Sequence, residues 1–318
     1  FRSGTPIGYY DNAFYPYNGM FDGAGYKITG LYFKDDSKIR VGLFGVNGGT
    51  IKNVNIADSY FCGQNRVGGV CGQNYTGGKI KTCNNINSFV SGNQFVGGVC
   101  GNDYQGDIIT DCNNTGKVQG STNVGGVCGG ISSGSVINCG NTGKVTGTGE
   151  NVGGVCGLLL TSSSSLETSY NTGDVQGSSY VGGVCGYRYN GNIDNCYNTG
   201  NITGTSEVGG VCGAIYTGQT SNCYSTGNVT CDASDASNAT VGGVCGYQNG
   251  AIKNCYYDTG KFTGKAIHTS TTSSQTVYVE GKTSEQFSNG VVAYLLNSRS
   301  AEDSPVWYQN IDNGDAQD

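Results

Sequence analysis

The residues of this sequence best suited to chemistry are its fifteen cysteines, most of which recur at regular places. One set follows a Val-Gly-Gly-Val stretch, and a second set lies a short distance further along the chain in the same repeat. Cysteines arranged in this way can form disulfides, bind zinc or serve as small apolar core residues. The first set is Cys71, Cys100, Cys128, Cys156, Cys185, Cys212 and Cys245, and the second is Cys83, Cys112, Cys139, Cys196, Cys223 and Cys255.

Zinc is disfavoured, whereas disulfides and buried thiols both remain open. The sequence has no Cys-x-x-Cys pair and one histidine, and structural zinc sites draw on such ligands. Six repeats hold both cysteines, which favours a bridge inside each repeat, but Cys156 has Ser169 at the second position, so pairing is dispensable. The bridges would join Cys71 to Cys83, Cys100 to Cys112, Cys128 to Cys139, Cys185 to Cys196, Cys212 to Cys223 and Cys245 to Cys255, and would leave over Cys62, Cys156 and Cys231.

No arrangement of residues in the sequence predicts catalysis. The single histidine, His268, lies in a Thr/Ser-rich stretch at 265–276 without a His-Glu-x-x-His motif. The acidic clusters at 232–235 and 312–315 lack the complete spacing of a calcium loop and are interpreted as solvated turns. We therefore expect no enzyme activity, no metal site and no cofactor.

The cysteines are positioned by a repeated frame, the stretch Val-Gly-Gly-Val-Cys-Gly at 67–72, which occurs seven times. A period of about 28 residues is typical of stacked supersecondary units, each of which contacts its neighbours. Frequent Val, Ile, Thr and Tyr with turn glycines indicate that these units are strands. The seven copies begin at Val67, Val96, Val124, Val152, Val181, Val208 and Val241, and a divergent copy begins at Val41.

The sequence predicts an all-β chain, a parallel β-solenoid of about eight coils from 41 to 262. Each repeat is divided into three strands and three turns, so Cys71, Cys100 and Cys128 should stack in one column, about 4.8 Å apart. The recurring Asn-Thr-Gly triplet, as at Asn114 and Asn141, suits a left-handed corner, and its asparagines should form stacked amide ladders.

The two ends are predicted to be caps. Residues 1–40 form the N-terminal cap, and residues 263–318 form a C-terminal cap with a helix at about 284–297 over the last coil. A capping box from Thr283 to Gln286 should open this helix, and Trp307 should pack nearby.

Composition restricts the partners and the location. The net charge is -6 and the pI about 4.8, without a basic run, so nucleic acid is not an expected partner. No apolar stretch approaches the roughly 18 residues of a membrane span. A high cysteine content favours a secreted or cell-surface protein, and the first residue, Phe1, predicts a processed product or a fragment.

The repeats resemble the GLUG motif of bacterial surface proteins. Gly42-Leu43-Phe44-Gly45 is nearly that motif, the stretch at 69–72 has Val for Leu, and the likeness extends over about 20–310. Such repeats occur in large adhesins and in non-catalytic parts of immunoglobulin-A metallopeptidases. The resemblance implies a non-catalytic, extracellular module; the cysteines are a departure, because the motif does not require them.

The tyrosines are the strongest candidates for surface contacts. Four of them follow the second cysteine position, at 170, 197, 224 and 256, and are interpreted as a stacked structural ladder. Those in the variable loops after the frame are candidate contacts with a ligand: Tyr75, Tyr104, Tyr187, Tyr189, Tyr216 and Tyr247.

Two functions follow from these observations. The first is an adhesive or spacer module whose partner is a host or microbial surface protein or a glycan. The alternative is a filament subunit that self-associates end to end, because solenoid coils stack when their ends are complementary.

Overall fold

The chain winds into a parallel β-solenoid of nine turns. The computed structural model describes residues 5–10, 14–232, 240–270, 277–297 and 306–307, and the acidic clusters at 232–235 and 312–315 lie largely or wholly outside them. Each strand of the solenoid pairs in parallel with the equivalent strand one turn away, so Cys71 is in register with Cys100, and Cys100 with Cys128. The predicted column of cysteines is therefore confirmed.

Four long sheets run the length of the solenoid. Sheet I contains Tyr32–Lys34, Tyr60–Cys62, Phe89–Ser91, Lys117–Gly120, Val145–Gly147, Val175–Gln176, Ile202–Gly204 and Val229–Cys231. Sheet II contains Ile39–Val41, Asn65–Gly68, Gln94–Gly97, Thr122–Gly125, Glu150–Gly153, Ser179–Gly182, Ser206–Gly209 and Val241–Gly242. Sheet III contains Phe44–Asn47, Cys71–Asn74, Cys100–Asp103, Cys128–Ile131, Cys156–Leu159, Cys185–Arg188, Cys212–Ile215, Cys245–Gln248 and Ile267–Ser270.

Sheet IV receives two short strands from most turns. Its strands are Met20–Asp22, Lys27–Thr29, Thr50–Lys52, Asn55–Ala57, Lys79–Lys81, Asn84–Ile86, Ile108–Thr110, Asn113–Asn114, Gly134–Ile137, Gly140–Asn141, Ser164–Glu167, Tyr170–Asn171, Asn192–Asp194, Tyr197–Asn198, Gln219–Ser221, Tyr224–Ser225, Ala251–Asp258 and Val277–Lys282. A separate antiparallel pair, Tyr9–Tyr10 with Phe14–Tyr15, precedes the solenoid.

A typical turn has five strands, whereas three were predicted. The frame at 67–72 is divided between sheets II and III, because the chain bends at Gly69 and Val70. This bend allows Val67 and Val70, which have opposite parity in a single strand, both to be fully buried. The predicted second strand is divided as well, because a left-handed residue such as Asn195, with a φ of 53°, bends it.

The glycines of the frame occupy places with no room for a side chain. A Cβ on Gly72 would lie 2.6 Å from the backbone carbon of Arg40, in the preceding turn. A Cβ on Gly98 would overlap the Asn114 side chain, in the core. Close approach of the backbone therefore explains why the frame varies so little from copy to copy.

The Asn-Thr-Gly triplets form the predicted amide ladder, but their asparagines are not left-handed. Asn114, Asn141, Asn171 and Asn198, with Asn85 at the equivalent place, are fully buried, and each amide donates to the side-chain oxygen one turn on, over 2.7 to 3.2 Å. The left-handed corner lies instead at the residue before the second cysteine position, as at Asn138 and Asn195. The triplet asparagine is needed for its side chain, whose amide also donates to the glycine carbonyl two residues on.

Parallel pairing begins well before residue 41. Met20–Asp22 is already in register with Thr50–Lys52, inside the segment predicted as the N-terminal cap. Ile7 and Tyr17 form bridges to the outer edge of sheet III, and the Tyr17 ring packs on Phe44 with centroids 5.2 Å apart. The preceding residues therefore cover part of the first edge of the solenoid.

The C-terminal helix is two helices, Ser284–Ser288 and Val291–Leu296. The capping box of Thr283 and Gln286 is present, but Gly290, with a φ of 83°, separates the two helices. The second helix packs on the buried Tyr256 through Val292 and Leu296. Within the described residues, neither helix has the length or the apolar content that a membrane crossing requires.

Candidate cysteine columns and binding surface

The second cysteine column satisfies backbone groups at the left-handed corner. The thiol of Cys196 donates to the carbonyl of Asp194 at 3.2 Å, and its sulfur accepts from the backbone N–H of Ser169 at 3.4 Å. The same donation, to the carbonyl two residues earlier, is made by Cys83, Cys112, Cys139, Cys223 and Cys255. A thiol at this place is therefore a hydrogen-bonding group as well as a core residue.

The first cysteine column bonds in the opposite direction along the chain. Six of its seven thiols, from Cys100 onward, donate to the carbonyl two residues later, as Cys245 does to Tyr247 at 3.1 Å. Burial raises the pKa of Cys100, Cys185, Cys212 and Cys245 well above the ordinary value, because a thiolate there has lost its water. These thiols are inert as nucleophiles in the folded chain.

The six candidate bridges are not formed in the structure. All fifteen cysteines fall within the described residues, and no disulfide joins any two of them. Polar contacts between thiols run along each column, from Cys83 to Cys112 and from Cys185 to Cys212. Of the two alternatives, the structure has the buried thiols, and a bridge would remove the S–H donors that the corners use.

In the described part of the chain, no catalytic constellation surrounds His268. Its side chain is exposed at the last strand of sheet III and contacts the hydroxyl of Thr269 at 3.1 Å. Within the described ranges, no three His, Cys, Asp or Glu side chains are grouped as metal ligands.

The six candidate tyrosines lie on two different columns. Tyr75, Tyr104, Tyr189 and Tyr216 occupy equivalent corners between sheets III and IV, and we call these four the tyrosine ledge. Tyr187 and Tyr247 instead occupy one outward position of sheet III, two turns apart. The structure thus separates residues that the sequence presents as one set.

The ledge consists of two stacked pairs. The rings of Tyr75 and Tyr104 have centroids 5.9 Å apart and planes at 13°, and those of Tyr189 and Tyr216 are 5.2 Å apart at 5°. Tyr104, Tyr189 and Tyr216 are 41 to 47% exposed. The two intervening corners are Ser132 and Leu160, so the ledge is two separate stacks of partly exposed rings along one edge.

A second aromatic group adjoins the ledge. Tyr187 contacts Tyr180 with centroids 5.1 Å apart and Tyr189 at 6.4 Å, and burial raises the pKa of both Tyr180 and Tyr187. Sequence reasoning missed Tyr180, although its place immediately before the frame at Val181 is a signal that could have found it.

Three of the four tyrosines predicted as a structural ladder stack on one another, and the fourth, Tyr256, is in register with Tyr224. Tyr170, Tyr197 and Tyr224 stack with centroids 5.4 and 5.2 Å apart. Phe287 and Trp307 pack against Tyr224, and burial raises the pKa of this tyrosine. These rings stabilise the solenoid and anchor the C-terminal helices, so the helices lie against the side of sheet IV.

Two ionisable residues in the core escaped sequence analysis. Asp103 and Arg188 occupy the same inward position of sheet III and are fully buried. Asp103 accepts from the Asn74 amide at 2.8 Å, and Arg188 donates to the Gly191 carbonyl at 3.1 Å. Their position, three residues after the cysteine of the frame, is otherwise occupied by Asn, Ile, Leu or Gln.

Comparison with known proteins agrees with the repeat pattern. Residues 177–203, which span the frame at Val181 and the triplet at Asn198, match the family described as the GLUG motif. No curated protein matches the sequence. A crystal structure described as "a putative immunoglobulin A1 protease from Bacteroides ovatus" is similar at 20% identity and a TM-score of 0.47, over 89% of this chain and 74% of that one. The chain carries the GLUG motif, as its repeated frame indicated.

Proposed function

We propose that this chain is a non-catalytic binding module of an extracellular protein and that the tyrosine ledge is its contact surface. The observation that carries the proposal is the contrast between frame and corner. The frame glycines have no room to vary, whereas the corner after sheet III is free to vary and holds stacked, exposed tyrosines in two pairs. Stacked aromatic rings on an edge suit the faces of sugars and the apolar parts of protein side chains.

The chemistry of the remaining residues supports a role without catalysis. Thirteen of the fifteen thiols are buried, burial raises the pKa of thiols such as Cys100, and the His268 side chain contacts a threonine hydroxyl. A repetitive edge is well suited to extended recognition, because neighbouring turns place equivalent side chains side by side. The GLUG motif supports an extracellular setting, and host or microbial surface proteins and glycans are the proposed partners.

The test compares two aromatic surfaces of one chain. Tyr75, Tyr104, Tyr189 and Tyr216 are changed together to Ser, and a matched control changes Tyr32 and Tyr60, a stacked pair on sheet I with centroids 5.1 Å apart. Binding is measured on a glycan array and on immobilised extracellular matrix proteins. We expect the ledge variant to lose the binding of the parent chain and the control to retain it. Equal binding by both variants, or none by the parent, would make the solenoid a spacer.

End-to-end assembly is the second candidate function, and one observation favours it. The first strands of sheets I, II and IV pair on one side only within the described residues, and Met20 and Tyr26 beside them are 68% and 78% exposed. Unpaired edges of this kind can accept strands from another chain. Fibres of the purified chain under electron microscopy would support this role, and particles no longer than one solenoid would reject it.

A further inference from the structure

Seven of the eight strands of sheet II contain one left-handed residue, and together these residues form a row along the solenoid. The row is Arg40, Arg66, Phe95, Asn123, Asn151, Tyr180 and Glu207, with φ values between 46° and 63°. The residues of the row are not paired with one another in the parallel ladder. Asn65 pairs with Gln94 and Val67 with Val96, whereas Arg66 and Phe95 between them are unpaired in that ladder. The side chains of the row are therefore not fixed by the sheet.

The residue types in the row are not those that the backbone prefers. Asparagine tolerates the left-handed region best among residues other than glycine, and it occupies the two central places, Asn123 and Asn151. Phe95 and Tyr180 are bulky residues that rarely adopt this conformation. Their presence indicates a task for the side chains that offsets the conformational cost.

The row forms one surface with the outward positions of sheet III. The Arg40 Nε donates to the Gln73 Oε1 at 2.5 Å, and the Tyr180 ring contacts Tyr187. A Cβ on Gly130 would lie 2.9 Å from the Phe95 ring, so this ring covers the glycine. The row face is the name we give to six residues of the row together with the outward positions of sheet III beside them. The six residues are Arg66, Phe95, Asn123, Asn151, Tyr180 and Glu207.

The order of side chains on the row face is self-complementary when reversed. From one end the order is Arg, Phe, Asn, and from the other end it is Glu, Tyr, Asn. Arg66 and Glu207 make no ion pair with any residue in the described part of the chain. Arg66 lies over the Phe95 ring, with its guanidinium carbon 5.9 Å from the centroid.

We propose that two copies of this chain pair side by side and antiparallel through the row face. In an isologous contact both copies use the same patch. With the two-fold axis placed midway between the turn of Asn123 and the turn of Asn151, each turn of one copy lies opposite the turn of the other copy that is equally far from the axis on the other side. Asn123 then faces Asn151 of the second copy, Phe95 faces Tyr180, and Arg66 faces Glu207. The ion pair and the aromatic pair each form twice.

The adjoining column of sheet III agrees with this symmetry. In that column Gly130 and Leu158 lie on adjacent turns, one on each side of the axis. The axis therefore places Leu158 of one copy opposite Gly130 of the other, where it meets the Phe95 ring that covers this glycine. The charges decide between a second copy and an unrelated partner. A partner of one sign would attract one of the two row charges, Arg66 and Glu207, and repel the other, whereas a reversed copy pairs both of them.

Charge exchange tests the pairing and its direction. Sedimentation of the parent chain at low salt should give a dimer, and Arg66→Glu or Glu207→Arg should each weaken it on the order of a hundredfold. An equimolar mixture of the two variants should dimerise again, because the mixed pair has attractive charges at both contacts. Lys117→Glu, an exposed charge on sheet I, should leave the dimer unchanged.

A second variant separates pairing from folding. Phe95→Asn places a residue that suits the left-handed backbone, so it should weaken the dimer while thermal unfolding stays at or above the parent value. The proposal fails if the parent chain sediments as a monomer, or if either charge variant remains as dimeric as the parent. It also fails if the folded variants stay monomeric when mixed.

Discussion

The backbone N–H of Cys139 donates a hydrogen bond to the Oγ of Ser169, 3.1 Å away on the next turn of the solenoid. One turn further, the N–H of Ser169 donates to the Sγ of Cys196 at 3.4 Å. The Ser169 hydroxyl donates to the carbonyl of Glu167 at 2.7 Å, as the thiols of the column do to their own carbonyls two residues earlier. Hydroxyl and thiol are thus interchangeable here, which explains how Ser169 replaces a cysteine.

Substitution of Cys196 should reveal this role. In Cys196→Ala, the N–H of Ser169 and the carbonyl of Asp194 lose a partner in the core, so the free energy of unfolding should fall by about 1–3 kcal/mol. Cys196→Ser keeps both hydrogen bonds and should lose less. Urea unfolding of both variants measures the difference, with Cys62→Ala as a half-exposed control; equal losses from Ala and Ser would show that the thiol acts only by packing.

The thiols should differ sharply in their reactivity. Cys62 and Cys231 are half-buried, whereas the remaining thirteen cysteines are buried. A small alkylating reagent should therefore modify two positions in the folded chain and all fifteen after unfolding without a reductant. Mass spectrometry of the alkylated chain gives both counts, and about three reactive thiols in the unfolded chain would instead support the six bridges.

Asp103 should make stability fall as pH rises. Burial raises its pKa from 3.8 to about 7, so between these values the folded chain keeps a proton that the unfolded chain releases. The stabilisation from this proton is complete below pH 3.8 and is lost as pH rises through 7. Over that range the free energy of unfolding should fall by on the order of 4 kcal/mol. Urea unfolding between pH 4 and 8 should show the slope.

Asp103→Asn should abolish that pH dependence. The amide continues the buried ladder in which Asn47 donates to Asn74 and Asn74 donates to Asp103, each over 2.8 Å. The control is Asp107→Asn, which removes an exposed carboxylate paired with Lys79 at 3.1 Å. A slope that persists in Asp103→Asn would assign the titration to another group.

The period of the sequence sufficed to predict the solenoid and its cysteine column. Equal spacing places equivalent residues in register whatever happens within a turn, so Cys71 and Cys100 pair as expected. The tyrosine ladder follows for the same reason, because Tyr170 and Tyr197 occupy equivalent places in successive turns and pair in register.

The course of the chain within a turn was not predictable from alternation. Residues with a left-handed backbone, such as Arg66 and Asn195, reverse the alternation of inward and outward side chains along the strand. Any residue type that tolerates a φ near 55° can stand at such a position. The two columns of candidate tyrosines were merged because the sequence does not mark where the strand ends: Tyr187 lies on the strand Cys185–Arg188, whereas Tyr189 lies at the corner after it. The burial of Arg188 had no signal beyond its position in the frame.

Replacement of Arg188 by an apolar residue should stabilise the chain. Its guanidinium lies in the core, where Nε and Nη2 have no hydrogen-bond partner among the described residues, and burial lowers its pKa. Leu159 and Ile215 occupy the same position on the neighbouring turns, so Arg188→Leu should fit the column and raise the free energy of unfolding by about 1–4 kcal/mol. Thermal unfolding measures this, and Arg188→Gln, which resembles Gln248 in the column, serves as a polar control. A lower stability for Leu than for Gln would indicate that the guanidinium stabilises the core.

Interruption of the buried asparagine ladder should be far more damaging than interruption of an exposed one. Asn141 is fully buried, accepts from Asn114 at 2.7 Å and donates both to Asn171 at 2.7 Å and to the carbonyl of Gly143 at 2.8 Å. Asn141→Ala removes one of the two acceptors of the Asn114 amide, which keeps the Gly116 carbonyl, and takes the Asn141 donor from the Asn171 oxygen and from this carbonyl in the core. A loss of about 2–4 kcal/mol is therefore expected. Asn201 belongs to an equivalent but exposed ladder and donates to Asp174 at 3.0 Å, so Asn201→Ala should change stability by less than about 0.5 kcal/mol. Urea unfolding of the two variants tests the contrast, and similar losses would show that the buried amides stabilise the solenoid no more than the solvated ones.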